Sequence, residues 1–135
     1  MFHKYLDQTF EKLKNVKFNN CDFKRFFNTI SYRESEPKKL KIEKNKIFIY
    51  CDPPYLRTRD TYSDSFNEDN SKELFDCLQE TECKFAMSEF NHPFVINQAE
   101  ARGLNIIYLK ERRNLKNRKV EILITNYTKN QGLLF

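Results

Sequence analysis

The sequence predicts an α/β fold organised around a mostly parallel sheet with one antiparallel strand, and three observations support this prediction. The run Ile47–Cys51 is apolar and rich in β-branched and aromatic residues, which indicates a buried strand. Asp52-Pro53-Pro54 follows at once, and since proline has no amide hydrogen to donate, the strand must end there. Strand-like and helix-like segments then alternate as in a parallel sheet, until a short basic connection joins two strands that can only be antiparallel neighbours.

Composition limits the chain to one domain of a modest size. A length of 135 residues is enough to bury a single core. The four cysteines form no C-x-x-C pair and no histidine pattern accompanies them, which argues against zinc or any other metal. With no leader-like segment and no long apolar run, the sequence favours a cytoplasmic protein with reduced thiols and no membrane contact. The net charge of +5, with 24 Lys and Arg, permits a polyanionic partner.

The first third of the chain predicts two helices and a short strand. Apolar positions in Phe2–Lys14 recur at helical spacing, so this segment is predicted to be an amphipathic helix. Val16–Phe18 has the composition of a short strand, and Asp22 is placed to cap a helix over Lys24–Ile30. The polar, charged stretch Ser31–Asn45 is predicted to be a surface connection.

The remainder of the chain alternates between further elements. Leu56–Asn67 shows no periodicity, and a loop of this length inside a compact domain is usually functional. Asn70-Ser71-Lys72-Glu73 provides a start similar to a capping box for a helix that ends near Glu80. Pro93 begins another helix that Gly103 can close. Strands are predicted over 84–88, 104–109 and 120–127, in addition to 16–18 and 46–51, and residues 128–135 are predicted to be a tail.

The segment at the end of the central strand has the chemistry of a nucleobase site. Ligands of open α/β sheets bind at the carboxyl ends of strands, where Asp52 and the prolines lie. A carboxylate and a neighbouring carbonyl can accept both hydrogens of an exocyclic amino group, and Tyr55 can stack on the attached ring. The alternative is a strand that merely ends in an Asp-Pro turn.

Asp52-Pro53-Pro54-Tyr55 after an apolar strand resembles the D-P-P-Y motif of amino-methylating DNA methyltransferases. Three flanking features narrow the resemblance to the Dam-type (D12 class) adenine-specific branch and extend it from about Val16 to Tyr127. They are the Asp-Phe pair in Asn19–Phe23, the Y-x-x-x-F spacing of Tyr62 and Phe66, and the E-x-L-I-x-N-Y ending at Glu121–Tyr127. One departure is Glu89 after Ser88, where the family often has S-N-x.

The resemblance implies an enzyme of DNA methylation, of the kind found in restriction–modification systems, with S-adenosyl-L-methionine as donor. It assigns catalysis to Asp52, Pro53, Pro54 and Tyr55, with Asp52 and the Pro53 carbonyl drawing the protons of the target amino group so that its lone pair is freed. It assigns cofactor contacts to Asp22, Phe23 and Asp52, and helix capping by Asp22 is an equally good interpretation that can hold at the same time.

The implied partner is double-stranded DNA with a flipped adenine. The resemblance brings the loop after D-P-P-Y towards the DNA, and a basic segment over 110–119, with six basic residues of ten, is a second candidate for phosphate contacts. The alternative for each is an ordinary solvated loop or hairpin tip. The residues expected to contact nucleic acid are Arg57, Arg59, Tyr62, Arg112, Arg113, Lys116, Arg118 and Lys119.

A glycine-rich cofactor turn is absent from the place where the family has it. The two glycines, Gly103 and Gly132, both follow D-P-P-Y, whereas the backbone of that turn must pass close to the cofactor. Residues 1–135 are therefore expected to form a single, partial methyltransferase catalytic domain with a partial Rossmann-like, S-adenosylmethionine-dependent fold. We expect an exposed apolar sheet edge, a complementary amino-terminal methyltransferase polypeptide as partner, and little activity of the chain by itself.

Three functions remain open from the sequence. The first is site-specific DNA adenine-N6 methylation by a fragment or split subunit. The second is a catalytically inactive methyltransferase remnant that keeps nucleic-acid affinity through its basic segment. The third is a related fold that modifies RNA or protein, although N-P-P-Y would be commoner there than D-P-P-Y.

Overall fold

The computed structural model describes residues 2–35, 44–56, 66–114 and 117–128. Within these ranges four helices and four strands alternate along most of the chain. The helices are α1 (Phe2–Leu13), α2 (Phe23–Ser35), α3 (Glu68–Glu80) and α4 (Pro93–Ala101), and a single 3₁₀ turn covers Lys44–Lys46. The strands are β1 (Phe48–Cys51), β2 (Lys84–Phe90), β3 (Asn105–Asn114) and β4 (Asn117–Thr125). None of the helices described is long and apolar enough to cross a membrane.

The four strands form one mixed sheet in the order β1-β2-β4-β3. β1 and β2 are parallel, and β4 is antiparallel to both β2 and β3. The parallel pair β1/β2 and the antiparallel pair β3/β4 were both predicted, whereas the third strand expected to lie parallel, over 16–18, is not formed in the described part of the chain. The parallel pair is possible because α3 crosses from the end of β1 to the start of β2, while β3 and β4 are joined by a hairpin.

One face of the sheet carries the core, because side chains alternate between the two faces of each strand. Apolar side chains from β1, β2 and β4 on this face are buried with residues of α3 and α4 in one cluster. Each fully buried aliphatic or aromatic side chain of this kind stabilises the fold by roughly 2 kcal/mol. The central members are Ile49, Phe85, Met87, Ile122 and Ile124 of the sheet, Phe75 and Leu78 of α3, and Val95 and Ala99 of α4.

An exposed apolar sheet edge was expected, and the structure exposes apolar side chains on the opposite face of the sheet and on helix α1. Phe48 and Tyr50, both on edge strand β1, are 48% and 61% exposed, and Ile107 of β3 is 38% exposed. On α1, Leu6 and Phe10 of the predicted apolar stripe are 57% and 70% exposed. Exposed apolar side chains on a sheet face and on a helix are surfaces suited to further packing.

The predicted strand over 16–18 is wrong. Residues Val16–Phe18 lie between α1 and α2 outside any helix or strand, and they pair with no strand in the described part of the chain. Val16 is 46% exposed and Phe18 is 80% exposed. Strand formation depends on a neighbouring strand and on burial, and a short β-prone sequence supplies neither by itself.

Helix ends agree with the sequence at two places and differ at two. α2 continues to Ser35, so the surface connection predicted to begin at Ser31 starts later than expected. Asp22 caps α2, since its Oδ1 accepts the Lys24 N–H at 2.9 Å. Gly103 lies beyond α4 with a φ of +64°, a conformation that glycine adopts without strain. By contrast, α3 begins one turn earlier than predicted, because Asn67 and Asn70 cap each other's backbone N–H groups at 3.0 Å.

Candidate active site

Asp52 lies at the carboxyl end of β1 and is fixed there by β2. The parallel register pairs Cys51 with Met87, which brings the next residue of each strand together. The Ser88 hydroxyl donates to Asp52 Oδ1 at 2.8 Å, and the Tyr50 hydroxyl in turn donates to Ser88 Oγ at 3.3 Å. Ser88 is buried while Asp52 is exposed, so one carboxylate oxygen is anchored and the group still faces solvent. The arrangement presents an oriented acceptor at the sheet end.

Tyr55 is held by contacts with β2 and β4. Its ring meets the Phe90 ring edge to face, with 4.4 Å between centroids, and its hydroxyl donates to Glu121 Oε1 at 3.4 Å. Burial is the main cause that raises the pKa of the Tyr55 phenol, and the negative charges of Asp52 and Glu121 add to it. The phenol is therefore a neutral donor at physiological pH, and its ring is already oriented before any ligand arrives.

Glu89 is a buried carboxyl group directly behind this segment. The residue is only 1% exposed, and its Oε1 accepts the N–H groups of Phe90 at 2.9 Å and of Leu56 at 3.3 Å. Burial, with a smaller contribution from the charge of Asp52, raises the pKa of Glu89 to about 7, against the lowering effect of the two backbone donors. Sequence reasoning had noted Glu89 only as a departure from a family pattern. The sequence signal that could have identified it is the spacing: Glu89 comes two residues after Met87, so it lies on the core face of β2.

The predicted cofactor residues lie at the start of α2. Asp22 caps the helix, so that interpretation of its role is confirmed, while its contact with a cofactor stays a prediction. Phe23 is half-buried and packs edge to face on Phe66, with 6.5 Å between centroids. Phe66 precedes Asn67, the N-cap of α3, so this contact ties the start of α2 to the start of α3.

Most of the basic segment over 110–119 lies in the paired strands of the β3–β4 hairpin instead of in a loop between them, and its contact with phosphates stays a prediction. β3 continues to Asn114 and β4 resumes at Asn117, with Arg112 paired to Lys119 and Arg113 paired to Arg118. A strand ladder is made by backbone groups, so charged residues can extend it where it projects from the sheet. The register shifts between Tyr108 and Glu111, as at a β-bulge, which increases the local twist.

Of the residues expected to contact nucleic acid, Lys119 is the one whose side chain the structure places at the site. Its Nζ lies 5.4 Å from the centroid of the Phe90 ring, the ring that also packs on Tyr55. Arg112, Arg113 and Arg118 are positioned by their backbone on β3 and β4. Arg57, Arg59, Tyr62 and Lys116 lie outside the described residues. Lys119 therefore places the base of the basic hairpin next to the D-P-P-Y segment, because it lies over the Phe90 ring that packs on Tyr55.

The cysteines contribute packing and not chemistry at this site. Cys51 ends β1, and burial raises the pKa of its thiol to about 11, so it stays protonated. Cys83 is buried in the core cluster. Among the residues described, no group of three or more His, Cys, Asp or Glu side chains is arranged to hold a metal ion. The chemistry available to the described site is that of fixed acceptors, an aromatic face and a nearby cation.

Comparison with known families gives one finding. The model of the D12 class N6 adenine-specific DNA methyltransferase family matches residues 1–122, most of the chain. The match includes Asp22, the D-P-P-Y segment, Glu89 and Lys119. No curated protein matches the chain.

Proposed function

The chain belongs to the D12 class N6 adenine-specific DNA methyltransferase family, and from this premise we propose that it methylates the N6 amino group of adenine in double-stranded DNA, with S-adenosylmethionine as donor. The observation that carries the proposal is the exposed Asp52 carboxylate, which Ser88 anchors through one oxygen beside an oriented Tyr55. This combination offers hydrogen-bond acceptors and an aromatic face in one place, and the family supplies the reaction.

In this proposal Asp52 and the Pro53 carbonyl accept the two hydrogens of the amino group. The lone pair of N6 is delocalised into the adenine ring, which makes the nitrogen a weak nucleophile. Two fixed acceptors draw the nitrogen towards tetrahedral geometry and localise that lone pair. Because Ser88 already holds Asp52 Oδ1, the second carboxylate oxygen can accept without a reorganisation of the site. Catalysis is then positioning and electrostatics.

Tyr55 provides the stacking surface for the extruded base. An adenine inside the duplex cannot reach the end of a strand, so it must leave the helix, at an unstacking cost of a few kcal/mol. Stacking on an aromatic ring returns about 1–3 kcal/mol. The Tyr55 ring suits this use because Phe90 and Glu121 hold it from two directions, which lowers the entropy lost when a base stacks on it.

Cofactor contacts are proposed for Asp22, Phe23 and Asp52. Carboxylates and an aromatic edge are suitable partners for the amino, hydroxyl and adenine groups of S-adenosylmethionine, and Asp22 and Asp52 both have exposed side chains. When bound, S-adenosylmethionine supplies an electrophilic methyl group. Asp22 keeps one oxygen on the Lys24 N–H, so it can accept a further hydrogen bond through the other while α2 stays capped.

We also propose that a second polypeptide carrying a glycine-rich turn completes the cofactor pocket. The support is twofold: the sequence has no glycine before Gly103, and the described part leaves apolar side chains of β1 and α1 exposed. β1 bonds to one described neighbour, β2, so its other edge offers N–H and C=O groups for a further strand. A partner that added a strand there would also cover Phe48 and Tyr50.

Analysis of methylated nucleosides tests this function. We expect N6-methyladenine in plasmid DNA from an unmethylated host when the chain is mixed with S-adenosylmethionine and the glycine-motif half of a D12 class enzyme. The chain by itself should produce little N6-methyladenine. Half of a cofactor pocket makes too few contacts with S-adenosylmethionine to offset the entropy lost on binding. Methylated cytosine would contradict the choice of base. DNA binding without any methylated base would favour the inactive remnant.

Removing the charge of Lys119 is expected to change how DNA affinity depends on salt concentration. Replacing the residue by methionine keeps an apolar side chain over Phe90 and removes one charge from the sheet end. If Lys119 contacts a phosphate, Lys119→Met should reduce the slope of log K against log salt by about 1, without a preference for particular sequences. Fluorescence anisotropy with a labelled duplex at several salt concentrations measures this slope. Lys72→Met on α3 is the matched control and should leave it unchanged, and an unchanged slope for Lys119→Met would remove Lys119 from the interface.

A further inference from the structure

Three consecutive residues at the carboxyl end of β2 each hold a different residue of the segment that follows β1. We call Ser88-Glu89-Phe90 the β2 clamp. Ser88 donates to Asp52 Oδ1 at 2.8 Å, Glu89 accepts the Leu56 N–H at 3.3 Å, and the Phe90 ring meets the Tyr55 ring with 4.4 Å between centroids. Two of these contacts are made by side chains of the segment, whereas the contact of Glu89 is with the backbone.

We propose that Glu89 is a positioning residue of the D-P-P-Y segment, which anchors the backbone at Leu56 and so fixes the direction in which Tyr55 is presented. The assignment rests on the proposed function for its catalytic meaning. Its structural part stands by itself, because it concerns contacts between β2 and the segment after β1. Glu89 acts through Leu56 and Tyr55 and is not itself placed against a substrate.

The two prolines explain why an anchor is needed at Leu56. Pro53 and Pro54 have no N–H, so after Asp52 the first backbone donors are those of Tyr55 and Leu56. A segment without donors cannot be tied to the sheet by a ladder, and a side-chain acceptor must replace it. Glu89 supplies that acceptor, and Leu56 itself is only 5% exposed in the core.

Packing alone does not explain why a carboxyl group is buried at Glu89. The position faces the core on β2, in line with Phe85 and Met87, where an apolar residue packs without loss. A buried carboxyl group is unfavourable unless hydrogen bonds compensate for lost hydration. The bonds that Glu89 accepts come from Phe90, its own neighbour, and from Leu56, at the end of the D-P-P-Y segment. The buried carboxyl group therefore contributes to the fold by anchoring the D-P-P-Y segment.

The charge of Glu89 changes near neutral pH, which gives the clamp a measurable signature. Titratable groups that neighbouring elements bring to this end of the sheet are Asp52, Tyr55, Lys119 and Glu121, and the charge of Asp52 opposes ionisation of Glu89. An ionised carboxylate accepts an N–H more strongly than a neutral carboxyl group does. The hold on Leu56 should accordingly strengthen as pH rises through the pKa of about 7.

Amide chemical shifts of the whole chain test the anchor directly. In a pH series from about 5.5 to 8.5, spanning the expected midpoint, the backbone N–H signals of Leu56 and Phe90 should shift together around pH 7. In Glu89→Gln both signals should stay fixed near neutral pH, since the amide keeps an acceptor oxygen but does not titrate. Glu100→Gln on α4 is the matched control and should titrate as the unchanged chain does. A Leu56 signal that does not titrate, or that titrates unchanged in Glu89→Gln, overturns the proposal.

Methyl transfer by the completed enzyme tests the catalytic consequence. Glu89→Leu removes the acceptor and should lower kcat by about 10-fold to 100-fold with little change in KM for DNA, because a misplaced segment affects the reaction more than binding. Glu89→Gln should restore most of kcat and remove the inflection near pH 7. Full activity of Glu89→Leu, with its far-ultraviolet circular dichroism unchanged, would refute the positioning role. If the amides titrate as expected but the unchanged chain never methylates DNA, the anchor stands and the proposed function fails.

Discussion

Asp52→Ala is expected to lower methyl transfer by about 1,000-fold in the completed enzyme while leaving DNA affinity nearly unchanged. The proposed function makes the free oxygen of Asp52 the acceptor of an amino hydrogen, and no other described side chain occupies the same position at the end of β1. DNA affinity should survive because affinity for the polyanionic backbone comes from cations, and removing a carboxylate does not weaken those contacts. Initial rates with tritiated S-adenosylmethionine, together with anisotropy titrations, separate the two effects.

Two further variants sharpen this experiment. Asp52→Asn keeps one acceptor oxygen, so it should retain partial activity when that oxygen faces the substrate and the amide nitrogen faces away. Asp7→Ala is the matched control, since it removes an exposed carboxylate on α1, which is not part of the site. A wild-type rate for Asp52→Ala would end the proposed role of this residue. A loss of rate accompanied by equal loss of DNA binding would instead indicate damage to the fold.

Much of the fold was predictable because its signals are local. The β-branched residues of Val120–Tyr127 indicated a strand, and the short connection before it required an antiparallel pair, as observed for β3 and β4. Pro53 and Pro54 correctly marked the end of β1, since the missing donors stop a ladder wherever they occur. The Asp22 cap was also visible, because capping depends on a side chain and backbone only two residues apart.

What could not be predicted depends on partners distant in the chain. Val16–Phe18 has the composition of a strand but pairs with none in the described part, and a composition says nothing about a neighbour. The start of α3 was misplaced because both Asn67 and Asn70 can begin a helix, and their reciprocal bonds decide between them. Arg112 and Lys119 pair in an extension of the β3–β4 ladder, although charged residues of this kind do not indicate a strand. The residues of the β2 clamp contact the D-P-P-Y segment, which lies about 35 positions earlier in the sequence. Only the register between β1 and β2 brings the two together.

The same limit applies to the identification of the site. Asp52 and Tyr55 were accessible from the motif, and their chemistry followed from residue type. Glu89 carries no motif, and its importance comes from burial and from the Leu56 N–H, neither of which is a property of sequence. A buried carboxyl group at the end of a strand is a site feature that becomes visible only once the strand has neighbours.

Glu89→Gln is expected to gain stability relative to the unchanged chain as pH rises from 4.5 to above 7. Glu89 has a folded-state pKa of about 7, raised from its ordinary value of 4.5 by burial first and by the charge of Asp52. Below pH 4.5 the group is protonated in both the folded and the unfolded state and does not affect the balance. Between pH 4.5 and 7 the unfolded chain ionises while the folded chain retains its proton, so the free energy of unfolding falls as pH rises. Above pH 7 the folded chain carries the full penalty of a buried charge, which a pKa raised from 4.5 to about 7 sets at about 3 kcal/mol.

Glutamine has the same shape and does not titrate, so it removes this pH-dependent term while Leu56 keeps an acceptor. The difference in free energy of unfolding between Glu89→Gln and the unchanged chain should therefore grow by about 3 kcal/mol from pH 4.5 to pH 8. Urea denaturation followed by circular dichroism at several pH values measures this difference, and taking a difference cancels the titration of every other group. Any constant effect of the added amide hydrogens shifts the two curves apart equally at each pH and leaves the trend intact. Glu100→Gln, exposed on α4, provides the control. Curves for Glu89→Gln and the unchanged chain that run parallel from pH 4.5 to 8 would show that the carboxyl group behind the D-P-P-Y segment ionises as freely as one in water.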